Sequence, residues 1–134
     1  MSKKRGDFLK IVISNSSPIP LYEQIQSQIK NQILNSELKP GDMLPSIRML
    51  AKELKVSIIT TKRAYEELEK EGFLKTSIGK GTFVSTGNTE RLREVALYEI
   101  ESKLETVIKS AKIIGLSLEE AMEIVKSLYE DEEV

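Results

Sequence analysis

The side chains best suited to binding chemistry lie in a short run from Ser57 to Arg63. Hydroxyl groups can hydrogen-bond to bases or phosphates, cations can reach phosphates or guanine, and isoleucine can touch a thymine methyl group. Helical spacing places positions 58, 61 and 62 on one side and 64, 65 and 68 on the other. The candidate contacts with a nucleic acid are Ser57, Ile58, Thr60, Thr61, Lys62 and Arg63. The alternative is that the isoleucines at 58 and 59 belong to the core and that the two cations form an ordinary solvated face.

The chain lacks the residues that most catalytic and metal sites require. It contains no histidine and no cysteine, so the commonest general bases, thiol nucleophiles and metal ligands are missing. Its carboxylates are mostly dispersed on helical surfaces, as in Glu66, Glu67 and Glu69, and no motif pairs a nucleophile with a base. The sequence therefore predicts no catalytic residue, no metal site, no cofactor and no enzymatic activity.

Two further groups of residues have a chemistry that suits a polyanion. Arg48 follows Ser46 at the start of a predicted helix, where free backbone amides can bind phosphate. Its alternative partner is a carboxylate such as Glu53 or Asp42. The second group is a tight turn in which glycines let a lysine approach a nucleic-acid backbone closely, with the members Gly79, Lys80, Gly81 and Thr82. This turn is not an NTPase phosphate loop, because the glycine spacing and the Lys-Ser/Thr pair of that motif are absent.

The pattern of apolar residues predicts the elements that position these groups. A first helix runs from Leu21 to near Asn35, a second opens at Pro45-Ser46, and a third begins after Ser57 as its N-cap. Two β-type runs follow, at Phe73–Thr76 and Thr82–Ser85. Three helices followed by a hairpin are typical of a winged helix-turn-helix, a mainly α fold that puts one helix in the DNA major groove.

Length and charge favour a small basic domain with an acidic appendage. The 134 residues allow one ordinary domain or a smaller domain with an attached segment. Residues 1–86 contain 14 Lys and Arg against 9 Asp and Glu, whereas residues 87–134 contain 6 against 12. This asymmetry indicates two different partners, of which a polyanion suits the basic part. No apolar run reaches the roughly 20 residues of a membrane span, and no signal peptide is predicted, which favours the cytoplasm.

Four segments resemble the N-terminal domain of GntR-family bacterial transcription regulators. They are PLYEQI at Pro20–Ile25, LKPGDMLPSIRMLA at Leu38–Ala51, AYEELEKEGFL at Ala64–Leu74 and GKGTFV at Gly79–Val84. The resemblance implies that the arginine of the LPSxRxLA segment, Arg48, contacts DNA, and that the Gly-Lys-Gly turn is a wing tip in the minor groove. The chain departs from the family at Ser57-Ile58-Ile59, where many members carry arginine or asparagine. This departure predicts a more apolar or shape-based reading of the DNA.

The last 48 residues form a predicted helical tail with an apolar seam. Apolar residues alternate spacings of three and four on a helix from about Glu90 to Ile114, as in a coiled coil. Gly115 ends this helix, and a capping box of Ser117 and Glu120 begins a second one. A two-helix tail resembles the YtrA-like subfamily of the family, whose tails dimerise and whose members often repress transporter operons. The predicted dimerisation residues are Leu97, Ile100, Leu104, Val107, Ala111, Ile114, Met122 and Val125.

These features together predict three segments. They are an arm or short strand at 1–14, with Phe8–Ile13 as its edge strand or arm, a winged helix-turn-helix DNA-binding domain at 15–86, and a helical dimerisation tail at 87–134. The predicted function is that of a homodimeric, sequence-specific repressor on a palindromic operator in double-stranded DNA, with no small-molecule effector assigned. Two alternatives are a tail that folds back on its own domain and a protein-interaction module that uses the winged helix as a scaffold.

Overall fold

The computed structural model describes residues 9–87 and 89–131, with Thr89 described by its backbone alone. The helices are α1 (Leu21–Leu34), α2 (Ile47–Leu54), α3 (Ile58–Lys70), α4 (Thr89–Ile113) and α5 (Leu118–Glu130), and the strands are β1 (Leu74–Ser77) and β2 (Gly81–Val84). The predicted fold, mainly α with a small β-wing and two C-terminal helices, is confirmed.

The chain divides into two compact units, residues 1–93 and residues 94–134. The division lies inside α4, because Leu92 in its first turn is buried and belongs to the core of the first unit. A Cβ atom added to Gly72 would lie 3.8 Å from Leu92 Cδ2, so the two residues are close neighbours. Helix α4 therefore begins in the first unit and continues into the second.

The core of the first unit is built from the inner faces of three helices. Ile25, Ile29 and Ile33 form one stripe of α1, because residues four apart lie on the same face of a helix. They share a single cluster with Leu50 from α2 and Leu68 from α3. Each fully buried Leu or Ile contributes about 1.5–3 kcal/mol to folding, so this cluster fixes how the three helices pack.

Helix caps define the helix-turn-helix. Ser57 caps α3, since its Oγ accepts a hydrogen bond from the amide of Thr60 at 3.0 Å, as the sequence predicts. Ser46 caps α2 in the same way, accepting from the amide of Met49 at 3.1 Å. Between the two helices Lys55 adopts a left-handed conformation with φ of 58°, and this residue ends α2 and reverses the chain.

The wing is an antiparallel hairpin in which Leu74 pairs with Val84 and Ser77 pairs with Gly81. Both strands lie one residue closer to the tip than the sequence predicts, because Ser77 and Gly81 still form a ladder pair. The flanking residues remain bonded outside the strands, since the amide of Ser85 donates to the carbonyl of Phe73 at 2.9 Å.

Residues 9–14 form an extended arm along α1. The side-chain amides that bind the arm backbone at every second residue are Gln24, Gln28 and Gln32. Gln28 bonds both the N–H and the carbonyl of Val12 at 2.8 Å, as a neighbouring strand would. Four helical residues rise about 6 Å and two extended residues about 6.6 Å, so the two repeats match. Residues 9–13 thus form an arm and not an edge strand, and Phe8 lies outside the described residues.

The second unit consists of the rest of α4 and the helix α5. Gly115, with φ of 74°, ends α4, and Ser117 and Glu120 form the predicted capping box at the start of α5. No residue of α5 is buried. None of the described helices combines the length and the apolar character needed to cross a membrane.

Candidate nucleic-acid interface

The start of α2 and the wing border one cleft. Ser46 and Ile47 line one side of it, and residues 76–82 line the other. The backbone joins the two sides, because the amide of Leu44 donates to the carbonyl of Thr82 at 2.9 Å. The predicted contacts at the start of α2 and at the wing tip are therefore brought together.

Tyr65 links α3 to the segment that precedes α2. Its hydroxyl donates a hydrogen bond to the carbonyl of Pro45, one residue before the cap of α2, at 2.7 Å. Burial raises the pKa of the Tyr65 phenol well above its usual range, and the negative charge of Glu53 adds to the rise. A tyrosine is already protonated at physiological pH, so this rise only reinforces the phenol as a hydrogen-bond donor.

Thr61 lies in the core and not in the candidate interface. Its side chain is 0% exposed, and its hydroxyl donates to the carbonyl of Ser57 at 3.2 Å. The prediction for Thr61 is therefore wrong. The physical reason is that a residue three before Ala64 and four before Tyr65 shares their side of the helix, and both of those residues are buried.

The face of α3 opposite this buried side carries Ile59, Arg63 and Glu66, which are all exposed. Ile59 is 79% exposed and Ile58 is 45% exposed, so neither belongs to the core as the alternative interpretation required. The sequence prediction does not include Ile59, the more exposed of the two isoleucines, among its candidate contacts. A helical wheel centred on the inner residues 64 and 68 is the signal that would have found it.

The hydroxyls at the two helix starts act first as caps. Ser57 Oγ donates to Thr60 Oγ1 at 2.8 Å, in addition to accepting from the Thr60 amide. Since a hydroxyl carries one proton and two lone pairs, Thr60 retains its proton for an outside acceptor. Ser46, whose cap bond uses only a lone pair, retains its proton too.

The two cations of α3 have different neighbours. Lys62 Nζ lies 3.8 Å from Glu66 Oε1, in an exposed pair one turn apart that contributes little to stability. The guanidinium of Arg63 lies over the ring of Tyr22 on α1, with Cζ 3.8 Å from the ring centroid. The face of the Arg63 cation is thus covered by an aromatic ring.

Arg48, in the first turn of α2, and Lys80, which lines the cleft from the wing, are both exposed cations. Within residues 9–87 and 89–131, neither side chain makes a hydrogen bond or an ion pair. The alternative ion pairs of Arg48, with Glu53 or Asp42, do not form. Both cations are therefore available to an anion.

The wing places its two glycines in different surroundings. Gly79 has φ of 79°, and a Cβ added there would meet no atom within 4 Å, whereas a Cβ on Gly81, with φ of 124°, would lie 2.7 Å from Met43 Cε. The hydroxyl of Thr82 lies 3.1 Å from that of its strand partner Thr76, in an exposed pair across the hairpin. Beside Gly79 the tip carries Ile78, which is 100% exposed and which the sequence prediction misses.

The second unit leaves its predicted dimerisation residues at the surface. Seven of them are 46–77% exposed, and Ala111 is half-buried. These seven are Leu97, Ile100, Leu104, Val107, Ile114, Met122 and Val125. Leu104 of α4 and Val125 and Leu128 of α5 also line a common apolar cleft. No group of three or more acidic side chains that could hold a metal occurs among the described residues.

Comparisons with known proteins extend over both units. The model of the bacterial regulatory proteins of the gntR family matches residues 21–84. The transcriptional repressor YtrA of Bacillus subtilis (strain 168) is 38% identical over 121 residues, which cover 90% of this chain and 93% of that protein. A crystal structure of a transcriptional regulator from Oenococcus oeni, 31% identical, has a TM-score of 0.73 and covers 87% of this chain and 97% of its own. The AraR DNA-binding domain in complex with an operator, 26% identical, has a TM-score of 0.51 over 57% of this chain and 96% of that one.

Proposed function

Because this chain belongs to the GntR family of bacterial regulatory proteins, we propose that it is a homodimeric repressor of a palindromic operator. As a family member it is a transcriptional regulator with a DNA-binding winged helix, and not an enzyme. The observation that carries the proposal is the cleft between Ser46 at the start of α2 and Lys80 on the wing, together with the exposed Arg48 in the first turn of the same helix.

The cations and the helix starts supply the contacts to the DNA backbone. An unpaired guanidinium can donate two parallel hydrogen bonds to one phosphate, which makes Arg48 the strongest anchor. Ser46 adds a hydroxyl proton at the same helix start. Lys80 lies between two glycines, so its ammonium can approach the minor groove without obstruction. Such contacts fix the position of α3 but do not by themselves read sequence.

Apolar side chains supply much of the sequence reading. Ile59 and Ile58 are exposed at the start of α3, where they can pack against thymine methyl groups in the major groove. Thr60 and the two cations of α3 add polar contacts. The exposed Ile78 at the wing tip can contact the walls of the minor groove, whose width depends on sequence. The operator is therefore expected to be rich in A·T pairs at the centre of each half-site.

A second copy of the chain is the proposed cover of the apolar seam on α4 and α5. A solvent-exposed aliphatic stripe of this length favours association with another apolar surface. A two-fold partner has an identical stripe. Dimerisation also joins two reader helices, so that the complex reads two half-sites about one helical turn, roughly 34 Å, apart. The resemblance to YtrA-like regulators extends the proposal to a transporter operon that includes the protein's own gene, read in the bacterial cytoplasm.

The experiment is a titration of the purified chain against the DNA upstream of its own gene, with random DNA as competitor and at two salt concentrations. We expect binding that survives the competitor and a two-fold symmetric footprint. The affinity should fall steeply as salt rises, since each phosphate contact releases counterions. Binding that vanishes equally for both DNAs at moderate salt would contradict repression of the protein's own gene, and it would mean either that the operator lies elsewhere or that the chain is a protein-interaction module.

A further inference from the structure

Tyr22 and Arg63 form a stacked pair that joins α1 to the outward face of α3. The guanidinium lies over the ring at 3.8 Å, which is the distance of direct contact between two flat groups. The ring itself is partly buried and packs against the core cluster of the first unit. Tyr22 therefore presents a platform whose position is set by the core.

The stack covers the face of the Arg63 guanidinium and does not involve its N–H donors. A guanidinium carries its five N–H donors at its edge and none on its face. Among the described residues Arg63 makes no hydrogen bond and no ion pair, so the ring covers the face while the donors stay unused. An arginine held in this way loses less conformational freedom when it binds a planar pair of acceptors.

We propose that Tyr22 is a positioning residue that holds Arg63 ready to contact DNA. The inference rests on the proposed DNA-binding function and deepens it. Tyr22 lies outside helices α2 and α3 and outside the wing, and it acts through Arg63. The acceptors that fit the edge of the guanidinium are a phosphate or the O6 and N7 atoms of guanine.

Lys62 provides a matched control on the same helix. It neighbours Arg63 and is also exposed, but its nearest charged partner is Glu66 and it touches no aromatic ring. Loss of the Tyr22 ring should therefore affect the contribution of Arg63 and leave that of Lys62 unchanged.

The test is a double-mutant cycle on the full chain, with the operator defined by footprinting. Tyr22→Leu should weaken operator binding about two- to fivefold, the range of an exposed cation–π contact. Tyr22→Phe keeps the ring and should bind within twofold of the wild type. In an Arg63→Gln background Tyr22→Leu should have no further effect, whereas in a Lys62→Gln background it should have its full effect. An equal loss in all three backgrounds, or no loss in the wild type, would overturn the positioning role.

A second measurement does not depend on DNA. The side-chain protons of Arg63 should show an upfield ring-current shift in the NMR spectrum of the free protein. The shift should persist in Tyr22→Phe and disappear in Tyr22→Leu, and unshifted protons in the wild type would refute the stack.

The salt dependence of operator binding separates the two acceptors. A phosphate contact of Arg63 accounts for about 0.9 of the slope of log affinity against log salt concentration, whereas a guanine contact depends on one base pair. A wild-type protein that does not discriminate the operator from random DNA would contradict the repressor proposal itself, whereas the NMR shift tests the stack independently of that proposal.

Discussion

The two units of this protein differ in where their apolar side chains lie. In the first unit α1, α2, α3 and the wing bury a shared cluster, with Ile25, Ile29, Leu50 and Leu68 at 0–1% exposure. In the second unit no described residue from 94 to 131 is buried. Its helices are nevertheless well defined by a capping box and by a glycine stop. The first unit thus specifies its fold with its own core, while the apolar residues of the second unit's helices remain at the surface.

The largest expected effect is that of Leu104→Asp, which tests whether the second unit needs a partner. A carboxylate in the middle of the seam would have to lose its water in an apolar interface, so we expect the dimer dissociation constant to rise at least about 100-fold. Light scattering should report a monomer, and operator affinity should fall with it. Near-ultraviolet circular dichroism of the first unit should stay unchanged.

Ser102→Asp is the matched control for this substitution. It adds the same charge to the same helix at an exposed position outside the seam, and it should leave the protein a dimer. A dimer that persists in Leu104→Asp would show that the seam is not the interface. Monomers from both variants would show that added negative charge, and not its place, separates the subunits.

Arg48→Ala should have the next largest effect, and it concerns the first unit alone. Removal of the Arg48 guanidinium from the start of α2 should weaken operator binding more than about tenfold, since hydrogen bonds to a charged group contribute roughly 1.5–3 kcal/mol. The oligomeric state should not change, because the residue lies outside the second unit. Fluorescence anisotropy and light scattering on the same sample measure both. Unchanged affinity would remove Arg48 from the interface.

The substitutions Gly81→Ala and Gly79→Ala test whether the wing is packed at Gly81 and open at Gly79. Both positions have positive φ, which an alanine adopts only with strain. At Gly81 the new Cβ would also lie 2.7 Å from Met43 Cε, whereas nothing is close at Gly79. We expect urea unfolding to show a loss of about 2 kcal/mol for Gly81→Ala and about 1 kcal/mol for Gly79→Ala. Equal losses would mean that backbone strain alone matters.

The sequence predicts the elements of both units well because short-range rules fix them. The Ser57 cap, the stop at Gly115 and the capping box at Ser117 each involve residues within a few positions of one another. The same holds for the stripe of Ile25, Ile29 and Ile33 on α1, whose burial follows from helical spacing.

The sequence predicts the candidate site less well because its side chains depend on long-range contacts. The stack of Arg63 on Tyr22 joins residues 41 positions apart, and the bond of Tyr65 to Pro45 joins residues 20 apart. The exposure of Ile78 likewise depends on how the wing lies against its neighbours, whereas that of Ile59 follows from helical spacing. The sequence analysis expects an apolar contribution from Ile58, but it does not include Ile59 or Ile78 among the candidate contacts.

Thr61→Val should have the smallest effect, and it tests whether Thr61 belongs to the buried side of α3. Valine has the shape of threonine and removes only the hydroxyl, which donates to the carbonyl of Ser57. That carbonyl also accepts from the amide of residue 61 at 3.2 Å, so it keeps a partner. We expect stability to change by less than about 1 kcal/mol and operator affinity to stay within twofold. Thr60→Val, which removes an available hydroxyl proton one residue away, should instead lower the affinity. A loss of affinity for Thr61→Val at unchanged stability would return Thr61 to the interface.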